Sequence, residues 1–175
     1  VIVTGCLGSR AEEIRERHPK VLSITGAHAT EEVVSAVHKH LPPAHNPYID
    51  LVPPQGIKLT PDHYAYLKIS EGCSNRCAFC IIPKMRGPMR SRSPESILAE
   101  TENLAKRGVK EFNIISQDTT MYGFDLGMKD GLVRLLEAMA KVKSVEWIRL
   151  LYCYPTFLNS DVIDYIASEE KVCRY

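Results

Sequence analysis

Six prolines, at positions 42, 43, 47, 53, 54 and 61, stand within one short stretch, and no long helix or strand can run through them. Each fixes its own φ, removes a backbone donor and disfavours helix in the residue before it. The chain is therefore expected in two parts joined by a linker: residues 1–41, a proline-rich connection over 42–63, and a second domain over 64–175. His45 in the connection reads as exposed polar surface. A chain of 175 residues, 45% of them hydrophobic, can bury one sizeable core and part of another. It opens on Val1-Ile2-Val3-Thr4 without Met and stops at Cys173-Arg174-Tyr175 without a helix cap. Both ends are expected to have been cut from a longer protein, leaving an unpaired parallel edge and a piece that is inactive alone.

Before the prolines, Val1 to Thr4 and Val21 to Thr25 read as short buried strands, with a charged helix from Ala11 to Arg17 between them, stopped by Pro19. Thr30 is expected as the cap of a further helix, with Glu31 and Glu32 in its first turn and Val33, Val34 and Val37 as its apolar stripe. After the prolines the pattern alternates. Tyr64 to Ser70 has strand composition, with Tyr64, Tyr66, Leu67 and Ile69 suited to a buried face. Ser93 and Pro94 then start a helix that presents Ile97, Leu98, Thr101, Leu104 and Ala105 and stops at Gly108. Glu111 to Ser116 is the next strand, followed by a loop and by a helix from Gly131 to Lys141 with Leu132, Leu135, Leu136 and Met139 inward. Trp147 to Tyr152 is the third strand, and Ser160 caps a helix carrying Val162, Ile163 and Ile166. Three strand–helix units in succession imply an α/β fold with a parallel sheet and right-handed crossovers. In such folds chemistry gathers at the carboxyl ends of the strands. The segments after Ser70, Ser116-Gln117-Asp118-Thr119-Thr120 and Cys153-Tyr154-Pro155-Thr156 should therefore converge.

The first of those segments is the most distinctive. Glu71-Gly72-Cys73-Ser74-Asn75-Arg76-Cys77-Ala78-Phe79-Cys80 places three cysteines within eight residues. Closely spaced thiolates can wrap one iron–sulfur cluster, and a cubane held by three of them leaves a fourth iron for another ligand. The spacing differs from the paired C-x-x-C knuckles of a zinc ribbon and from the two-cluster ferredoxin run. A zinc or disulfide staple is the plain structural alternative. With no signal-peptide core ahead of them, the cysteines are expected as reduced, cytoplasmic thiols. Formal net charge is +1, which argues against a general attraction to nucleic acid, and no apolar run is long enough to span a membrane.

The arrangement C-x-x-x-C-x-aromatic-C, with Phe79 at the aromatic position, resembles the radical S-adenosylmethionine (SAM) enzymes. Together with Val3-Thr4-Gly5-Cys6-Leu7, Ile81-Ile82-Pro83, Arg86-Gly87 and Ser91-Arg92, it resembles the radical SAM methylthiotransferases over nearly the whole length. The resemblance implies a remnant of an N-terminal α/β methylthiotransferase domain followed by the first half of a radical SAM partial (β/α) barrel. It implies two 4Fe–4S clusters: a SAM cluster on Cys73, Cys77 and Cys80, and an auxiliary cluster held by Cys6 and two cysteines before Val1. Phe79 would lie against the adenine of SAM, and Gln117 or Asp118 would take the place of a Gly-Gly-Glu segment at the SAM amino group. Ile115-Ser116-Gln117-Asp118-Thr119 and Tyr152-Cys153-Tyr154-Pro155 are most similar to the branch that modifies an aspartate of the twelfth small-subunit ribosomal protein.

For that branch the family chemistry is cleavage of SAM to a 5′-deoxyadenosyl radical, removal of hydrogen from the aspartate β-carbon, and transfer of a methylthio group built at the auxiliary cluster. The ribosomal protein, alone or on the ribosome, is then the partner, with a monomeric enzyme and sulfur and electron donors that the sequence does not name. A tRNA adenosine methylthiotransferase uses the same clusters, and a non-catalytic iron–sulfur module would need only the cysteines. Lys84, Arg86, Arg90 and Arg92 follow the cluster loop, either as solvated surface or facing the SAM carboxylate or an acidic partner. Cys153 and Cys173 read as ordinary reduced thiols.

Overall fold

A computed structural model describes residues 1–27, 29–41 and 58–174 of the chain. Most of the expected proline-rich connection, including His45, lies outside the described residues. The described residues group into two compact units: 1–41 together with 75–87, and 58–74 together with 88–174.

In the first unit β1 (Ile2–Val3) and β2 (Ser23–Ile24) pair in parallel, shorter than the sequence suggests. A 3-10 turn over Gly5–Arg10 leads into α1 (Ala11–Arg17), and α2 (Thr30–His40) follows β2. Gly8 in the turn sits so close to β2 that an added Cβ would lie 2.0 Å from the Thr25 carbonyl oxygen, so the turn can approach only without a side chain there. Two expectations for α2 are corrected. Its cap is Ala29, with no side-chain bond, because the helical turn already includes Thr30 beside Glu31 and Glu32. Val34 and Val37 are exposed and only Val33 of the expected apolar stripe is partly buried.

The short α3 (Ile82–Arg86) belongs to this unit as well and packs against the Gly5–Arg10 turn.

The second unit holds the main core. Its sheet runs β3 (Tyr64–Lys68), β6 (Glu111–Ile115), β7 (Trp147–Leu150), all parallel, with β6 central. A parallel bridge from Ile148 to Val172 begins a further pairing on the far side of β7. Ala65, Leu67 and Ile69 face the core, while Tyr66 is 52% exposed. That corrects the expected inward set: side chains alternate along a strand, so Tyr66 and its neighbour Leu67 cannot share a face. Beyond β3 a two-residue strand, β4 (Ser70–Glu71), turns to pair antiparallel with β5 (Arg90–Ser91).

The crossover α4 (Pro94–Lys106) begins as its sequence dictates, with the Ser93 hydroxyl accepting from Ser96 N. It ends in a Schellman motif, where Val109 N donates to Leu104 O, Gly108 N donates to Ala105 O, and Gly108 adopts φ 98°. Ile97, Thr101 and Ala105 are its buried face. On α5 (Gly131–Ala140), Leu132, Leu135, Leu136 and Met139 are buried as expected. For α6 (Ser160–Ser168) the cap is Asn159, whose side-chain oxygen accepts from Val162 N, one residue before the expected Ser160. Val162 is buried there but Ile163 is 49% exposed, another correction. No described helix is long and apolar enough to cross a membrane.

Tyr122 and Tyr165 give this unit an alkaline limit. Burial, reinforced by Glu95 at Tyr122 and by Glu169 and Glu137 at Tyr165, raises each phenol from 10.0 to about 12. Their stabilising effect is full below the unfolded value of about 10 and is lost as pH rises through about 12. Ultraviolet titration should show a late phenolate step near pH 12, and replacing both tyrosines by phenylalanine should remove that step.

Candidate functional site

At the carboxyl end of the sheet, three chain segments are tied to one another by polar bonds. From β3 and β4 come Ser70, Glu71, Gly72 and Cys73, the bend being made at Gly72 with φ 79°. From β6 comes the 116–120 segment, and from β7 comes 151–154. Gln117 Nε2 donates to Glu71 Oε1 at 2.9 Å, joining the first two segments. Thr119 joins the second to the third: its N–H donates to Tyr152 O at 3.1 Å and its hydroxyl to Leu151 O at 2.9 Å. The Thr119 hydroxyl also lies 3.4 Å from Cys153 Sγ. The carbonyl of Tyr152 is presented by a left-handed backbone, φ 59°, although the residue is not glycine and its ring is 63% exposed. Of the convergence expected from the strand–helix pattern, the second unit brings together the start of the cysteine loop and the segments after β6 and β7, while Cys77 and Cys80 fall in the other unit.

Asp118 and Gln117 differ in what they can still offer. Asp118 is 2% exposed, and its Oδ1 accepts from Thr120 N at 3.0 Å and from the Thr120 hydroxyl, an Asx-type turn that shapes the loop. Gln117 Oε1 is buried without a hydrogen-bond partner, as are Ser70 Oγ and Ser116 Oγ. Unmatched buried polar atoms are uncommon, and here they cluster at the ends of two neighbouring strands. Of the two residues expected at a ligand amine, Gln117 is the one with a vacant acceptor.

The cysteines are divided between the units. Cys73 leaves β4 in the second unit, whereas Cys77 and Cys80 belong to the first, where Cys80 N donates to Cys77 O in a turn. Cys6 lies in the 3-10 turn of that same unit. None of the six cysteines of the chain forms a disulfide and all are partly buried, so no disulfide staples the loop. Among the described residues no three His, Cys, Asp or Glu side chains form a ready-made metal site. Thiolate loops commonly take their final shape from the metal they bind. The donor set still fits a cluster chemically: three thiols, none of them in a disulfide, within a loop mostly without regular structure. Phe79 is 94% exposed, an apolar ring without cover.

The basic run has divided duties. Arg92 Nη1 donates to Lys68 O at 2.9 Å and pairs with Glu100 at 2.7 Å, holding the end of β3 to α4. The next contacts along this rim were not legible in the sequence: Tyr122 OH donates to Arg92 O, and Ser91 N donates to Asp125 Oδ2 at 2.8 Å. Lys84 and Arg86 lie on α3, in the other unit.

Residues 67–173 match the Radical SAM superfamily. The chain belongs to that superfamily. Its cofactors are accordingly of the radical SAM kind, SAM and a 4Fe–4S cluster. Over its whole length this radical SAM chain is 54% identical to the ribosomal protein uS12 methylthiotransferase RimO of Methylococcus capsulatus. It is 52% identical to the proteins of the same name from Dechloromonas aromatica and Mesorhizobium japonicum. It spans 42%, 41% and 42% of those relatives, about two fifths of their length. A solved structure of the radical SAM methyltransferase TsrM from Kitasatospora setae aligns over 62% of this chain and 21% of its own, with 18% identity and a TM-score of 0.48.

Proposed function

We propose that this chain is the SAM-binding part of a methylthiotransferase that adds a methylthio group to the β-carbon of an aspartate in ribosomal protein uS12. The observation that carries the reading is the 52–54% identity, across all 175 residues, to relatives named for that activity. Cys73, Cys77 and Cys80 hold the SAM cluster, and Cys6 contributes to an auxiliary cluster. Gln117 meets the SAM amine, Asp118 shapes the loop that carries it, and Phe79 covers the adenine.

When bound, the cluster supplies an electron for cleavage of the sulfonium carbon–sulfur bond. The chain's own work is to hold and orient. Three strand ends fix the loops through Gln117–Glu71 and Thr119–Tyr152, so the ligand meets a site whose polar groups are already aligned. The short clamp from Thr119 to the third strand keeps Tyr152 and Tyr154 at the rim, where a protein substrate would arrive. The enzyme is proposed to act in the cytoplasm, on uS12 alone or within the ribosome.

Mass spectrometry of uS12 and of tRNA, from source cells with and without the intact gene, tests the assignment. Loss of the methylthio mass from the uS12 aspartate alone is expected. Loss from tRNA adenosine, with uS12 unchanged, would move the chain to the tRNA-modifying branch.

A further inference from the structure

We infer that Glu71 is a positioning residue for the SAM amine, acting by setting the direction of the Gln117 amide. The inference rests on the reading of this site as the SAM site. Glu71 reaches it from β4, while Gln117 follows β6, and the two are 46 residues apart in sequence. The Glu71 carboxylate is itself held: Oε2 pairs with Lys68 Nζ, and Oε1 accepts from Gly72 N at 3.3 Å as well as from Gln117 Nε2 at 2.9 Å.

An amide has one end that donates and one that accepts. With Nε2 against the carboxylate, the bond is made; with the amide reversed, two acceptor oxygens would meet with no proton between them. Glu71 therefore fixes which end of Gln117 remains, and the remaining atom is Oε1, buried and without a partner. Next to Gln117 in sequence stands Ser116, 8% exposed, and next to Glu71 stands Ser70, 1% exposed, each with a hydroxyl oxygen also lacking a partner. A fixed carbonyl oxygen with two adjustable hydroxyls suits a group that donates several hydrogen bonds, and the nearby carboxylate favours one that is positively charged. An ammonium meets both requirements. Without Glu71 the amide can turn, and the site loses its preference for a donor.

The test uses the full-length protein, reconstituted anaerobically, and compares binding of SAM with binding of its desamino counterpart by equilibrium dialysis. Wild type is expected to favour SAM about tenfold or more, the worth of one charge-assisted hydrogen bond. Glu71→Ala should bring the ratio close to one with iron content unchanged. Glu71→Gln still offers an oxygen to Gln117 Nε2 and should keep most of the preference, which a merely structural role would not require. Gln117→Leu should lose the preference independently of any effect of Glu71→Ala on folding. Retention of the wild-type ratio by Glu71→Ala or by Gln117→Leu would overturn the inference, as would a wild type that binds both compounds equally. A wild type that loads a cluster and binds neither would overturn the SAM-site reading itself, and this inference with it.

Discussion

In the intact protein, Cys77→Ala is expected to reduce 5′-deoxyadenosine formation from SAM to background and to lower iron bound at the loop. A thiolate is both the donor and part of the charge balance of a cluster, and an alanine methyl supplies neither. The loop offers no spare donor of the same kind: its cysteines are Cys73, Cys77 and Cys80, and each would occupy one iron. Cys173 provides the comparison. It too is outside any disulfide, but its backbone N–H donates to Ile148 O beside the sheet, and Cys173→Ala should leave deoxyadenosine production unchanged. Normal production by Cys77→Ala would refute the ligand assignment.

The second large effect concerns stability. Phe112 lies on the central strand β6, is 0% exposed, and is paired in register with Ala65 on one side and Ile148 on the other. Truncating a fully buried phenylalanine to alanine removes its apolar surface and leaves a cavity, at a cost of about 3–5 kcal/mol. Domains are commonly stable by only about 5–15 kcal/mol, so the denaturant midpoint should fall steeply. Ile163→Ala, on the exposed side of α6, should cost no more than about 1 kcal/mol. Equal losses at the two positions would mean that the sheet core described above is not what holds the unit together.

What the sequence disclosed and what it withheld follow from the range of the interactions. Ser93-Pro94 and Gly108 mark the ends of α4 because caps depend on the few residues nearest a terminus. The same local logic chose Ser160 over Asn159, since both side chains can accept at a helix start and sequence does not reveal which turn comes first. Tyr66 suits a strand by residue type, but its outward face is decided by alternation, which residue type does not disclose. The thiols of the loop stand out through their spacing, and the strand–helix order brings the three loops to one end of the sheet. The polar bridge from Gln117 to Glu71 left no such trace: it is created by the register of β3 on β6, and neither residue carries a neighbour that announces the other.

Because the strands stand in the sheet in the order in which they occur in the chain, each new strand can dock on an edge already present. A polypeptide emerging vectorially could complete the β3–β6 pair once Ile115 is free, before β7 has been synthesised. The bridge between Glu71 and Gln117 would close at that stage, and the Thr119 clamp would wait for Leu151 and Tyr152. The corner that Glu71 and Gln117 form is thus among the earliest long-range features that a growing chain can acquire.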